Sequence, residues 1–438
     1  MSTAPVPVDV SPVEPARHDA PATDPTAPAG EDRDGAPAIR VLEGDCLSIL
    51  PTLPDASYDA VVCDPPYLLR FRGEGWDTAP WSASAKSTFA WGDGAHPNPR
   101  IADMVRFSAW CEAWAAECLR VLKPGGHLLA FGGARTHHWL AVGVESAGFE
   151  IRDCIAWLKF GGFPKSTDLG KHFDRRAGAA RPVLGVRRLQ NIRGGGYLQR
   201  PGVARRDAEY ADTAPVTELA QRWDGWGSGL KPMAEPVIVA RKPLDGNLID
   251  NAARHGTGAL NIGGCRIPWD GACGGHFGGR NTGGRPGGRT YAGTYDRDHR
   301  TVRHPRGRFP GNAITLEPDA FWSPYTLVSP PEVSRKIGYG DREPYSDHPT
   351  QKPVPLMRWL CRLVTPPGGR VLDPFAGSGS TGVASLAEGF DAVLIEIDPH
   401  YAAIARRRVA EAQGAPPPGE ERARGPRQVS LFEVERQR

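Results

Sequence analysis

The chain has 438 residues, long for one domain, which favours two or three units or one domain carrying a large insertion. A hydrophobic content of 40% can fill a sizeable core, and no apolar run approaches the roughly 18–20 residues of a bilayer span. The 53 Lys and Arg against 50 Asp and Glu leave only +3, yet residues 159–310 hold 26 basic and 13 acidic side chains, so that stretch carries +13 and the remainder −10. A contiguous third of the chain is therefore basic enough to suit a polyanion. The N-terminus lacks the basic start and apolar stretch of a secretory signal. Eight cysteines are spread thinly, many inside apolar segments such as Val61-Val62-Cys63, which suits reduced thiols in a cytoplasm.

Residues 1–37 contain eight prolines and seven acids against two arginines, with no periodicity, and are expected to be a disordered acidic tail. A strand is expected at Ile39-Arg40-Val41-Leu42, running into Gly44-Asp45, and a second from Tyr58 to Cys63, ending at Asp64-Pro65-Pro66-Tyr67. Met104, Phe107, Cys111, Trp114, Cys118 and Val121 recur at helical spacing, so an amphipathic helix is expected over about 101–122. Lys123-Pro124-Gly125-Gly126 should stop it, with a buried strand from His127 to Phe131, then a helix and a strand from Ile151 to Trp157. Past Phe160 the pattern breaks. Residues 255–311 alone have 16 glycines in 57 positions, and only Pro236 to Ala240 reads as a clear strand. The alternation returns with a helix over Pro353–Val364, a strand Arg370–Asp373, a helix from Ser380, a strand Ala392–Ile397 and a helix from His400; a polar tail follows about residue 413. The pattern predicts one α/β domain, with a parallel sheet, built from two sequence halves around a basic insertion.

Two segments carry chemistry. Asp373-Pro374-Phe375-Ala376-Gly377-Ser378-Gly379-Ser380 takes a strand through a glycine turn into a helix, where the backbone can approach a ligand and amide groups point at it. Glu396 lies 19 residues beyond Gly377 at the end of the next strand, placed to hold a ribose diol. The spacing alone also fits a nicotinamide dinucleotide. In Asp64-Pro65-Pro66-Tyr67 the prolines stiffen the chain and remove donors, leaving one carboxylate and carbonyls as acceptors beside an aromatic ring. Such a pocket suits a planar base with an exocyclic amino group: Asp64 and the Pro65 carbonyl accept its two N–H bonds while Tyr67 stacks on the ring.

Together these motifs resemble the S-adenosylmethionine-dependent DNA amino-methyltransferases, and their order resembles the permuted beta group. His348-Pro349-Thr350-Gln351-Lys352-Pro353 is similar to that family's lead-in to the cofactor turn. Gly225-Trp226-Gly227-Ser228-Gly229-Leu230-Lys231-Pro232, Glu235-Pro236 and His255-Gly256-Thr257-Gly258-Ala259-Leu260-Asn261-Ile262 resemble a phage and prophage branch of adenine-specific methylases. The likeness covers about residues 40–410. It implies a circularly permuted Rossmann-like methyltransferase sheet with a basic Gly/Arg-rich target-recognition insertion: halves at 38–164 and 331–412, the insertion at 165–330, tails at 1–37 and 413–438. It implies S-adenosylmethionine as cofactor, with Phe375, Gly377 and Gly379 lining it, Asp373 near its methionine end, Glu396 on the ribose, Asp45 at the adenine, and Thr350 and Lys352 near its carboxylate. Asp64, Pro65, Pro66 and Tyr67 would be catalytic, acting on a base flipped out of double-stranded DNA.

The basic stretch then reads as DNA-binding, with glycine-rich residues 271–293 ordering on DNA. His255, Cys265, Cys273 and His276 match no standard zinc spacing and are expected to be ordinary loop residues, so no metal is expected. Gln428-Val429-Ser430-Leu431-Phe432 resembles the peptide that docks bacterial proteins on the replication sliding clamp, with Val429 in place of the usual Leu; a chance apolar pair in a tail is the alternative. The leading expectation is methylation of adenine N6. Cytosine N4 methylation, a nicotinamide oxidoreductase and a non-catalytic DNA-binding protein remain open; no membrane association is expected, and the oligomeric state is left open.

Overall fold

The computed structural model describes residues 37–67, 100–159, 166–188, 209–267, 307, 309–316, 348 and 350–414. The proposed disordered tails, glycine-rich residues 271–293, Cys273, His276 and Gln428–Phe432 lie outside them.

Eight strands form one sheet in the spatial order β1-β10-β9-β2-β3-β7-β4-β8. They are β1 (Ile39–Glu43), β2 (Tyr58–Cys63), β3 (Leu122–Phe131), β4 (Glu150–Leu158), β7 (Ala234–Arg241), β8 (Ala313–Thr315), β9 (Arg370–Asp373) and β10 (Asp391–Glu396). From β1 through β3 every neighbouring pair is parallel; β7 runs antiparallel to both β3 and β4. All six residues of β2 are buried, as a strand covered on both faces requires. Alternation along β3 divides the core. Leu128 and Ala130 join Phe107, Trp114 and Leu140 from helices α2 (Arg100–Val121) and α3 (His137–Ser146) on one face. Leu129 and Phe131 join Leu356 and Leu360 of α7 (Val354–Val364), Ala384 of α8 (Ser380–Glu388) and Val409 of α9 (Pro399–Ala412) on the other.

The two sequence halves meet as neighbouring strands: Val61 of β2 sits beside Leu372 of β9, and Val41 of β1 beside Leu394 of β10. The amphipathic helix has its expected buried stripe, but Lys123–Gly126 does not separate it from the next strand. Helix α2 runs directly into β3, whose register against β2 shifts between Leu122 and His127, so those four residues form a bulge. Asn251 of α6 (Leu248–His255) plugs it, donating from Nδ2 to the carbonyls of Pro124 (3.1 Å) and Thr257 (2.9 Å). A Cβ at Gly125 would lie 2.4 Å from that amide nitrogen, and φ is +78°, so glycine is required there.

The interval 165–330 does not stand outside the sheet as one insertion. Strands β7 and β8 come from it, and Val237–Ala240 of β7 are buried between β3 and β4, whose open edges need a bonding partner. Among the described residues of that interval, what lies outside the sheet is α6 and a small lobe of α4 (Leu169–Arg176), β5 (Val183–Arg188), β6 (Glu209–Thr213) and α5 (Glu218–Arg222). Its centre is polar. The fully buried carboxylate of Asp174 accepts from the amides of Val216 (3.1 Å) and Thr217 (2.9 Å), from the Thr217 hydroxyl (2.8 Å) and from Arg181 (2.7 Å). No described helix is long and apolar enough to cross a membrane.

A candidate active site at the strand ends

In a doubly wound sheet the ligand crevice opens beyond the carboxyl ends of the parallel strands. The residues singled out in the sequence gather there. Glu43 pairs with Glu396, so Asp45, two residues on, lies at the same end as Glu396, and the Gly44 amide donates to the Glu396 carbonyl (2.9 Å). Asp373 ends β9, and Asp64 follows β2 next to it; burial raises the pKa of Asp373, and the nearby charge of Asp64 adds to the rise. Across the sheet the order is Asp45, Glu396, Asp373, Asp64.

The glycine turn is tied to this row. The Asp373 carboxylate accepts from the Phe375 amide (2.9 Å) and from the Thr381 hydroxyl in the first turn of α8. Glu396 Oε2 accepts from the Gly377 amide (2.6 Å) and Oε1 from the Asp398 amide (2.9 Å). Arg408 of α9, itself buried, donates to the Ser378 carbonyl (2.7 Å) and to the hydroxyls of Ser378 (2.9 Å) and Ser380 (3.2 Å). Gly377 has φ +51°, and a Cβ there would come 3.0 Å from His348 Nε2, so a side chain would be strained and would press on the His348 ring. Gly379 has another task. Its added Cβ would lie 2.8 Å from Ala405, so the bare glycine lets α9 close on the turn. The Phe375 ring packs against Trp110 and Trp114 of α2, with centroids 5.6 and 5.3 Å away. Burial pushes Asp373 up to about 7 and raises Glu396 above its usual value. Asp45 caps α1 (Cys46–Ile49), accepting from the Leu47 amide at 3.1 Å.

Around Asp64 the structure assembles a charged cluster. The Tyr67 hydroxyl lies 2.7 Å from Asp64 Oδ1 and 2.6 Å from Glu235 Oε1, and shares its one proton between them. Lys352 Nζ bonds Asp64 Oδ2 and is 3.1 Å from Glu235 Oε1, 4.8 Å from the centre of the Phe131 ring and 5.5 Å from that of Tyr67. Lys159 Nζ bonds Glu235 Oε2. Two carboxylates thus face two ammonium groups. Burial opposes the charge on Lys352, yet Asp64 and Glu235 outweigh it and raise its pKa. Burial likewise opposes ionised Glu235, and here Lys352 and Lys159 win, holding it below the ordinary range. Burial raises Asp64 despite Lys352, with Glu235 adding to the rise. The Tyr67 carbonyl accepts from the Thr136 hydroxyl (3.0 Å), which fixes the end of the Pro-Pro segment against the turn after β3.

Lys352 was expected beside a cofactor carboxylate; in the structure it lies between Asp64 and Glu235, because an ammonium only 7% exposed needs buried counter-charges. Thr350 stands at the rim, its amide donating to His348 Nδ1 (3.4 Å). Glu235 and Lys159 were not among the expected site residues. The signal for Glu235 was a charge leading into the apolar run Val237–Ala240. Lys159 comes in only through the antiparallel register that sets Trp157 against Glu235. Of the zinc candidates, Cys265 is a core thiol pushed up to about 12 by burial, and His255 bonds Asp245 (2.9 Å). Among the described residues no group of three His, Cys, Asp or Glu could hold a metal ion.

The family model described as DNA methylase, of N6/N4 type, matches residues 58–407. Type II methyltransferase M.HindIII of Haemophilus influenzae is 23% identical over 370 residues, covering 79% of this chain and 86% of that protein. DNA adenine methyltransferase YhdJ of Escherichia coli K12 is 43% identical over a local stretch of 65 residues, 15% of this chain and 22% of the relative. Among solved structures, the cytosine-N4-specific PvuII DNA methyltransferase covers 86% of this chain and 89% of its own at 14% identity and a TM-score of 0.41. The crystal structure of the M1.HpyAVI–SAM complex covers 85% and 98% at 16% identity and a TM-score of 0.37. With its glycine turn and its Asp-Pro-Pro-Tyr segment side by side on adjacent strands, the chain belongs to the N6/N4 DNA methylase family and is a DNA methyltransferase.

Proposed function

We propose that this methyltransferase moves the methyl group of S-adenosylmethionine to the exocyclic N6 amino group of a flipped-out adenine in DNA. The observation that carries the reading is the spatial order Asp45, Glu396, Asp373, Asp64 along the strand ends. It matches adenine, ribose, methionine and target base in sequence, over about 14 Å at ordinary strand spacing. The residues fit the group: a row of acidic side chains suits a ligand with a sulfonium and an ammonium, and Asp373 and Glu396 are buried with pKa values raised, so a cation beside them would be favourable. The cofactor supplies an already activated methyl group, so the chain's work is alignment.

Asp373 and Glu396 would hold the cationic and hydroxyl-bearing parts, with Asp45 at the base. Thr350 remains a candidate for its carboxylate end, whereas Lys352, held between Asp64 and Glu235, would serve the target side. Asp64 and the Pro65 carbonyl would accept the two amino protons of the target, favouring a pyramidal nitrogen whose lone pair faces the methyl group. The excess proton leaves after transfer. Tyr67, held by its hydroxyl, would stack on the extruded ring. Adenine is favoured over cytosine by Asp at position 64 and by the local likeness to an adenine methyltransferase. The lobe of α4, β5, β6 and α5, with the basic stretch, would supply target recognition. Gln428–Phe432 remains a proposed clamp-docking peptide, testable by a pull-down with and without residues 428–432.

Replacing Asp64 with Ala or Asn tests the reading. Methyl transfer from labelled cofactor should fall by more than about a thousandfold while cofactor binding stays within a few-fold, since the carboxylate acts on the target. Retained transfer would refute the assignment.

A further inference from the structure

The carboxylate assigned to the target amino group is already occupied. Asp64 Oδ2 takes the Lys352 ammonium and Oδ1 faces the Tyr67 hydroxyl. An amino group arriving at Asp64 must displace one of them, and Lys352 is the stronger competitor because its bond is charge-assisted. Lys352 is only 7% exposed, so it cannot retreat into water, and a buried ammonium without a counter-charge is costly. One other carboxylate is in reach: Glu235 Oε1, already 3.1 Å from Nζ.

We propose that Glu235 is a positioning residue for methyl transfer: it draws the Lys352 ammonium off Asp64 when the target base enters, and steadies Tyr67 for stacking on that base. This rests on the reading of Asp64 as acceptor of the target amino group. The groups around Glu235 suit the task. Asp64 and Tyr67 face it from the end of β2, Lys159 from the end of β4, and Lys352 from the segment before α7. Lys159 keeps Oε2 of Glu235 satisfied, while Oε1, which the Tyr67 hydroxyl and Lys352 already approach, can take more of Lys352 as the hydroxyl proton turns to Asp64. Two acids and two ammonium groups balance before and after the shift, so no net charge is buried by it. The Phe131 ring, 4.8 Å from Nζ, offers the ammonium a face throughout.

The test uses the full-length enzyme with saturating cofactor and a DNA substrate, and two variants. E235Q should lower kcat more than about tenfold with KM for DNA and cofactor affinity little changed, because Lys352 then stays on Asp64. The double variant E235Q/K352M removes the ammonium that E235Q strands on Asp64, so its kcat should recover about tenfold or more over that of E235Q. A merely structural Glu235 would not be rescued by the loss of Lys352. Wild-type kcat in E235Q, or no recovery in E235Q/K352M, would overturn the proposal; if E235Q fails to fold, the double variant decides alone, and a kcat more than about a hundredfold below wild type overturns it. D64N is run in parallel. An active D64N removes the underlying reading, whereas an inactive D64N beside a wild-type-like E235Q removes only this inference.

Discussion

Asp373 is held in a form that folding alone would not choose. Its carboxyl, about 2% exposed, rises from 3.8 to about 7 through burial. A raised carboxyl holds a proton in the folded state that the unfolded chain has released, so stability declines as pH rises from about 4 to 7 and the loss persists above that. D373N removes the penalty and can keep both hydrogen bonds, its carbonyl accepting from the Phe375 amide and its amide donating to Thr381. Thermal unfolding at pH 8 should therefore show D373N at least as stable as wild type, by up to a few kcal/mol. Calorimetric titration should show its affinity for S-adenosylmethionine reduced about tenfold or more. In the wild type that affinity should climb as pH rises through 7, since the ionised carboxylate is the one that suits a cation. At this scale the linear motifs were legible: Asp64–Tyr67 and Asp373–Gly379 each lie in one short segment whose chemistry is local. Glu235 and Lys159 were not, because nothing in sequence spacing brings residues 67, 159, 235 and 352 to one point; the sheet register does.

The elements that hold the site do so through close backbone approach. Gly379 opens α8 with φ +79° and leaves 2.8 Å for a Cβ against Ala405, while Arg408 one turn further along α9 pins Ser378 and Ser380. G379V should cost about 2 kcal/mol or more, from left-handed backbone strain and the clash, read as a lowered Tm together with lost cofactor binding. The helices and strands on either side of this turn follow from plain patterns. Helix α2 shows an apolar stripe at three- and four-residue spacing, and β2 the apolar run Ala60-Val61-Val62-Cys63. The bulge at Lys123–Gly126 escaped the sequence because Pro-Gly-Gly normally ends an element, whereas here Asn251, 126 residues beyond Gly125, supplies the hydrogen bonds that let the strand continue.

For the molecule as a whole, the +3 total hides two opposite parts. Acidic residues line the strand ends where a cationic cofactor would lie, and the +13 stretch spans the small lobe and much of the chain around it. DNA affinity should fall steeply with salt, with log K against log salt sloping negatively by several units, while cofactor affinity stays nearly flat. The basic stretch was legible as a block, but its division was not: β7 and β8 leave it to complete the sheet, since β7 bonds to β3 and β4, which flank it, and β8 adds to β4 beyond. The most direct measurement is nucleoside analysis of DNA after incubation with the enzyme and labelled S-adenosylmethionine. The account predicts N6-methyladenine with the wild type and none with D64A; N4-methylcytosine as the product, or undiminished transfer by D64A, would contradict it.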